Sequence, residues 1–100
     1  MIRHIALFKG TEETHPGDIA AIAAGLSALP AAIPAIGTYA FGPNIGANAD
    51  NYDFAVNATF ATLADYTTYV EHPAHHEVVV NLVRPHIAQR ASLQFEWEES

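Results

Sequence analysis

The chain has 100 residues, a net charge of −7 and four basic residues, Arg3, Lys9, Arg84 and Arg90, which form no cluster. It therefore lacks the cationic footprint of a nucleic-acid binder and is repelled by anionic membrane surfaces. It has no cysteine, which excludes disulfides, thiolate catalysis and Cys-ligated zinc.

Only 15% of the residues are charged, against a norm of about 25%. A small domain has much surface per residue, so scarce charge points to surface covered by another chain. The length fits one domain over residues 1–100, with a core that needs no staples. The N-terminal apolar run is too short for a signal peptide. The alanine-rich segment is broken by Gly25, Pro30 and Pro34. The expectation is a soluble cytoplasmic protein with no membrane span.

Ile2 to Phe8 reads as a strand, with Ile2, His4, Ala6 and Phe8 on one face and Ile5 and Leu7 on the other. Both faces are apolar, so both should be covered. A polar turn then leads to Pro16, which suits a first helical turn. Ile19, Ile22, Ala23, Leu26 and Leu29 recur at helical spacing, so a helix is expected from about Pro16 to Leu29, ended by Pro30. Ile36 to Pro43 is a weak, glycine-interrupted strand, and residues 44–51 are a loop by composition. Tyr52 to Phe60 alternates clearly and is a strand.

Thr62-Leu-Ala-Asp65 fits a capping box, opening a helix that carries Leu63, Tyr66, Tyr69 and Val70. His72 precedes Pro73, which pushes it towards extended geometry and starts a new helical segment reaching about Ile87. Pro85 should weaken its last turn. Ala91, Leu93, Phe95 and Trp97 alternate with polar residues in a final strand. The order is βαββαβ, an α+β, ferredoxin-like arrangement with an antiparallel sheet covered by helices on one face. A second copy of the same sheet is the simplest cover for the other face.

Chemistry concentrates in Tyr69-Val-Glu-His72-Pro-Ala-His75-His76, which holds three of the six histidines. Tyr69, His72 and His75 are spaced by three, which would place them on one face of an unbroken helix. Near the start of a helix the dipole disfavours the imidazolium of His75, leaving the neutral ring that a general base requires. The Tyr69 hydroxyl can donate to a carbonyl oxygen as charge develops on it. A pocket and a purely structural Tyr69–His75 pair both fit these residues. His72 can satisfy a helix end through its ring, and His76 should point elsewhere. No HExxH motif or other strong ligand spacing occurs, so no metal site is expected. His15 and His86 fall at element ends.

MIRHIALFK, FGPNIG, YDFAVNATF and DYTTYVEHPAH, followed by a hydrophobic helix, together resemble the stress-responsive A/B barrel (Dabb) domain over Ile2 to Trp97. That resemblance implies a homodimeric α+β barrel formed through the sheet faces. Some plant members are polyketide cyclases that need no cofactor. In those, residues matching Tyr69 and His75 act in a pocket between sheet and helices, with the residue matching His4 nearby. This chain has Phe54 where the cyclase pattern adds a further histidine.

The reading is a homodimer with a small apolar pocket for a small organic, apolar or phenolic molecule. His75, Tyr69 and His4 are its candidate catalytic groups. Phe8, Ile22, Leu26, Phe54, Val56, His72 and Leu82 are its candidate binding residues. The alternative is a cofactor-independent cyclase or isomerase using Tyr69 and His75.

Overall fold

The computed structural model describes residues 1–98. Four strands form one antiparallel sheet: β1 (Ile2–Gly10), β2 (Tyr39–Pro43), β3 (Phe54–Phe60) and β4 (Ile87–Glu96), in the order β2-β3-β1-β4. The helices are α1 (Pro16–Ser27), α2 (Leu29–Ala32), α3 (Leu63–Glu71) and α4 (Pro73–Val78). A π-helical turn (Val79–Val83) and a 3-10 turn (Arg84–His86) follow before β4. This is the ferredoxin-like fold expected from the element order.

The alternation of β1 sets the layering. Ile2, His4 and Ala6 are buried beneath the helices, beside Phe54, Val56, Ala58 and Phe60 of the neighbouring β3. Ile22 and Leu26 of α1, Leu29 of α2 and Ile33 complete this core. Burying one side chain of this size stabilises the fold by about 1.5–3 kcal/mol.

Several boundaries differ from expectation. Proline 30 does not end the helical region: it sits in the first turn of α2, where its missing N–H costs nothing. The last helical region closes through the π-helical and 3-10 turns, with Pro85 in the latter, so β4 begins at Ile87 rather than Ala91. At Gly25 the π-helical turn comes so close to α1 that a Cβ would lie 2.5 Å from Leu82 Cδ1. At Gly37 the backbone N–H donates to the Thr59 carbonyl over 2.7 Å, and a Cβ there would lie 2.9 Å from that same oxygen.

Strand β4 has an uncommon polarity. Its register with β1 pairs His4 with Gln94, Ala6 with Ser92 and Phe8 with Arg90, so these polar residues lie on the helix side of the sheet. Leu93 and Phe95 pair with Ile5 and Arg3 on the side that carries no helix, and are 55% and 41% exposed. The apolar stripe of β4 thus faces away from the helices.

Candidate functional site

Two local devices build the site. Thr62 caps α3 by accepting the Asp65 N–H at 3.1 Å, a contact worth about 1 kcal/mol. This fixes the turn that brings Tyr66 and Tyr69, three residues apart, onto the face over β1 and β3. At the junction His72 is extended, and its Nδ1 accepts the Ala74 N–H at 3.0 Å. One nitrogen of His72 is therefore spent on starting α4, and the junction turns His75 back onto Tyr69.

The ring centroids of Tyr69 and His75 lie 4.4 Å apart. His4, from the middle of β1, lies 6.1 Å from Tyr69 and 5.1 Å from Tyr66. Phe60 supports both tyrosines from below, at 5.1 and 5.5 Å. The three candidate catalytic residues therefore share one corner of the molecule. The Tyr69 hydroxyl is hydrogen-bonded to that of Tyr39 at 2.8 Å, where either can donate.

The candidate binding residues divide. Ile22, Leu26, Phe54 and Val56 are closed into the core, and Phe8 and Leu82 pack partly buried against it. The space between sheet and helices at these positions is filled by their own side chains. Of two cavities, one lies away from these residues and the other is bordered by Phe54. One of about 640 Å³ runs between the start of α1 and Asp53, and one of about 350 Å³ lies beside Leu7, Phe54 and Tyr52. The aromatic corner borders neither cavity; its neighbours on β4, Ser92 and Gln94, are exposed.

Gln94 Nε2 lies 2.9 Å from His4 Nδ1. An amide nitrogen only donates, so Nδ1 accepts and the neutral ring carries its proton on Nε2. Burial, reinforced by His75 once that ring is protonated in acid and by the charge of Arg90, lowers the pKa of His4 from 6.5 to about 4. Burial also lowers that of His75, against the opposing Val70 carbonyl and with help from Arg90 and His76. Desolvation is thus the first cause that favours its neutral ring. Burial raises Tyr69 well above the ordinary phenol range, and Tyr39 and Tyr66 follow in the same direction. At neutral pH the corner holds two uncharged imidazoles and three intact phenols. Its chemistry is proton acceptance by imidazole and hydrogen-bond donation by phenol. Among the described residues, no three His, Asp or Glu side chains converge to hold a metal.

Four participants escaped the sequence reading as site residues: Tyr66, Tyr39, Gln94 and Arg90. Tyr66 carried a signal in its three-residue spacing from Tyr69. The others depend on strand order and register.

The stress-responsive A/B barrel domain model matches residues 2–97. The chain belongs to this family. Among solved structures, it is similar to a dimeric ferredoxin-like protein from Thermobifida fusca YX. The identity is 40%, with 96% of this chain and 90% of that one covered and a TM-score of 0.89. A dimeric ferredoxin-like protein from Bacteroides fragilis NCTC 9343 is 24% identical over 96% and 95% of the two chains, with a TM-score of 0.85. The hydroxynitrile lyase of Passiflora edulis is 21% identical over 99% and 94%, with a TM-score of 0.84. The last two likenesses show the fold alone. No functionally curated protein matches the chain. The histidine of β1 and the Tyr-x-x-His-Pro-x-His stretch thus meet at one corner of this chain. No helix among the described residues is long and apolar enough to cross a membrane.

Proposed function

We propose that this A/B barrel chain is a single-domain cytoplasmic homodimer. Each subunit binds a small organic molecule at the corner formed by His4, Tyr66, Tyr69 and His75. The observation that carries the reading is the gathering of two uncharged imidazoles and three intact phenols beside the exposed polar side of β4. A purely structural core has little use for so many hydrogen-bonding groups in one place. The homodimer rests on the uncovered apolar stripe of Ile5, Leu7, Leu93 and Phe95, together with the dimeric relative at 40% identity. Closing two such faces together is the symmetric solution to their exposure.

Titration of phenolic ligands tests the corner. Wild type should bind, and His75→Ala and Tyr69→Phe should weaken binding by up to about tenfold each, the scale of one hydrogen bond. Equal behaviour of all three proteins would discard this assignment. Size measurement in dilute solution tests the dimer, and a stable folded monomer would contradict it.

A second reading, cofactor-free aldol or enolisation chemistry, is favoured by the contact of neutral His75 with Tyr69. In it the imidazole removes a proton beside a carbonyl, and the phenol donates to the carbonyl oxygen as it gains charge. The Passiflora edulis relative, a hydroxynitrile lyase, is an enzyme on the same fold.

A further inference from the structure

We propose that the larger cavity, between the start of α1 and the end of β2, is a second binding site that takes small hydrophobic amines, with Asp53 facing the ammonium group. It is separate from the aromatic corner and does not depend on a ligand there.

The walls follow from residue size. Pro16, Ile19, Ala20 and Ala23 of α1 border this space, and Pro43 closes it at the end of β2. Two of these four α1 residues are alanines, so the helix stands over the sheet edge without side chains long enough to fill the gap. The result is a cavity of about 640 Å³. Sites for small organic molecules usually fall between about 300 and 1,000 Å³, with mostly apolar walls and few polar groups. Ile19 and Ala23 pack against the hydrophobic core, which anchors the helical wall.

Hydrogen bonds hold both sides in place. The Thr11 N–H and the Thr14 hydroxyl both donate to the His86 carbonyl, at 3.2 and 2.8 Å. The His15 N–H donates to the Asp18 carboxylate at 2.9 Å and fixes the first turn of α1. On the other side, Asp53 Oδ2 accepts the Gly10 N–H at 2.7 Å, and the Asp53 carbonyl accepts the Asn44 N–H at 2.8 Å. The space is therefore formed without a ligand, and a preformed site loses little ordering entropy on binding.

Charge decides the class of ligand. Among the described residues that border the cavity, Asp53 is the one carboxylate, and none is lysine or arginine. The Thr11 and Thr14 hydroxyls bond to each other at 3.0 Å, so they make little demand on a ligand. Among the described residues the one ion pair joins His86 to Asp18, which leaves Asp53 without one. Lys9, one residue from Gly10, reaches instead towards the Asn51 carbonyl at 3.4 Å and the Tyr52 ring at 5.9 Å. Glu12 and Glu13, exposed in the turn between β1 and α1, add negative charge nearby. Apolar walls beside an unpaired carboxylate favour a hydrocarbon body with a cationic head.

The test titrates phenethylamine and its neutral counterpart phenethyl alcohol into isotope-labelled protein at pH 7.5 and low salt, followed by backbone amide shifts. Shifts should gather at Ile19, Ala20, Ala23 and Asp53. Wild type and the distant control Glu71→Gln should bind the amine about three- to fivefold tighter than the alcohol, the scale of an exposed ion pair. Asp53→Asn, which keeps an oxygen for the Gly10 N–H, should bind both probes as wild type binds the alcohol. High salt should remove the preference in wild type. Ala20→Phe, at an exposed helix position, should fill the cavity and abolish binding of both. The inference is overturned if these amides do not move, if wild type binds the two probes equally, if Asp53→Asn keeps the preference, or if Ala20→Phe binds as wild type does. Shifts confined to Tyr66, Tyr69 and His75 would also overturn it and assign the probes to the aromatic corner.

Discussion

Phe60→Ala should destabilise the fold by about 3–5 kcal/mol, the usual cost of emptying a buried aromatic site. Phe60 is fully buried near the end of β3, opposite Ile2 on β1. Its ring touches both Tyr66 and Tyr69, so truncation leaves a void under the two phenols rather than at a loose edge. Two paired strands and α3 surround that position and limit its collapse, which places the cost in the upper part of the large-to-small range. Urea denaturation with an unchanged denaturant slope is the measurement. Phe60→Leu, which keeps most of the volume, should cost less than about 1.5 kcal/mol. A loss below about 1 kcal/mol for the alanine variant would mean that the corner is not packed as described. Ligand binding should weaken in the alanine variant even where it is fully folded, because Tyr69 loses its support.

Acid should weaken the protein through His4. Its pKa is about 4 in the folded chain, against the ordinary 6.5 of an unfolded one. Above pH 6.5 both states hold a neutral ring and the linkage is silent. As the pH falls below 6.5 the unfolded chain takes up a proton that the folded chain refuses, so stability declines. It continues to fall until about pH 4, where the folded ring also protonates. The total is less than about 3 kcal/mol once solvent screening is allowed for, and at most about 1.4 kcal/mol per pH unit. His75, lowered in the same direction, adds to the effect. Denaturation at pH 7.5, 5.5 and 4 should therefore show a steeper decline for wild type than for His4→Gln. Parallel declines would mean that His4 is not held neutral by the fold.

The elements that alternate or repeat cleanly were legible from the sequence. The short apolar run of β1 and the alternation of β3 announced both strands, and the period of two grouped His4 with Ile2, Ala6 and Phe8 without saying which face meets the helices. The Thr62–Asp65 box announced α3, and Pro73 announced the break that follows it. The rest was harder for identifiable reasons. Pro30 can stop a helix or start one, and the choice depends on Leu29 finding a place in the core. The π-helical turn depends on how closely Gly25 lets Leu82 approach, which is a tertiary matter. At the site, Tyr69 and His75 are neighbours within eight residues of chain and could be paired by spacing. His4 joined them through family resemblance. Gln94 and Arg90 could not be recruited that way. Gln94 lay in an alternating strand whose helix-facing set was left open, and Arg90 fell before the strand's expected start at Ala91. The order β2-β3-β1-β4 and the pairing of His4 with Gln94 decide it.

The reversed polarity of β4 makes residue parity meaningful along that strand. Even-numbered positions, from Arg90 to Gln94, border the aromatic corner. Odd-numbered positions, Leu93 and Phe95, border the face that carries no helix. The residues of the corner and those of the helix-free face can thus change independently in one ten-residue segment, one parity at a time. The same arrangement makes the strand intolerant of a single inserted residue, because a slip by one exchanges the two sets. A two-residue slip preserves parity. Length changes in the turns flanking this strand should therefore be tolerated more readily in pairs than singly.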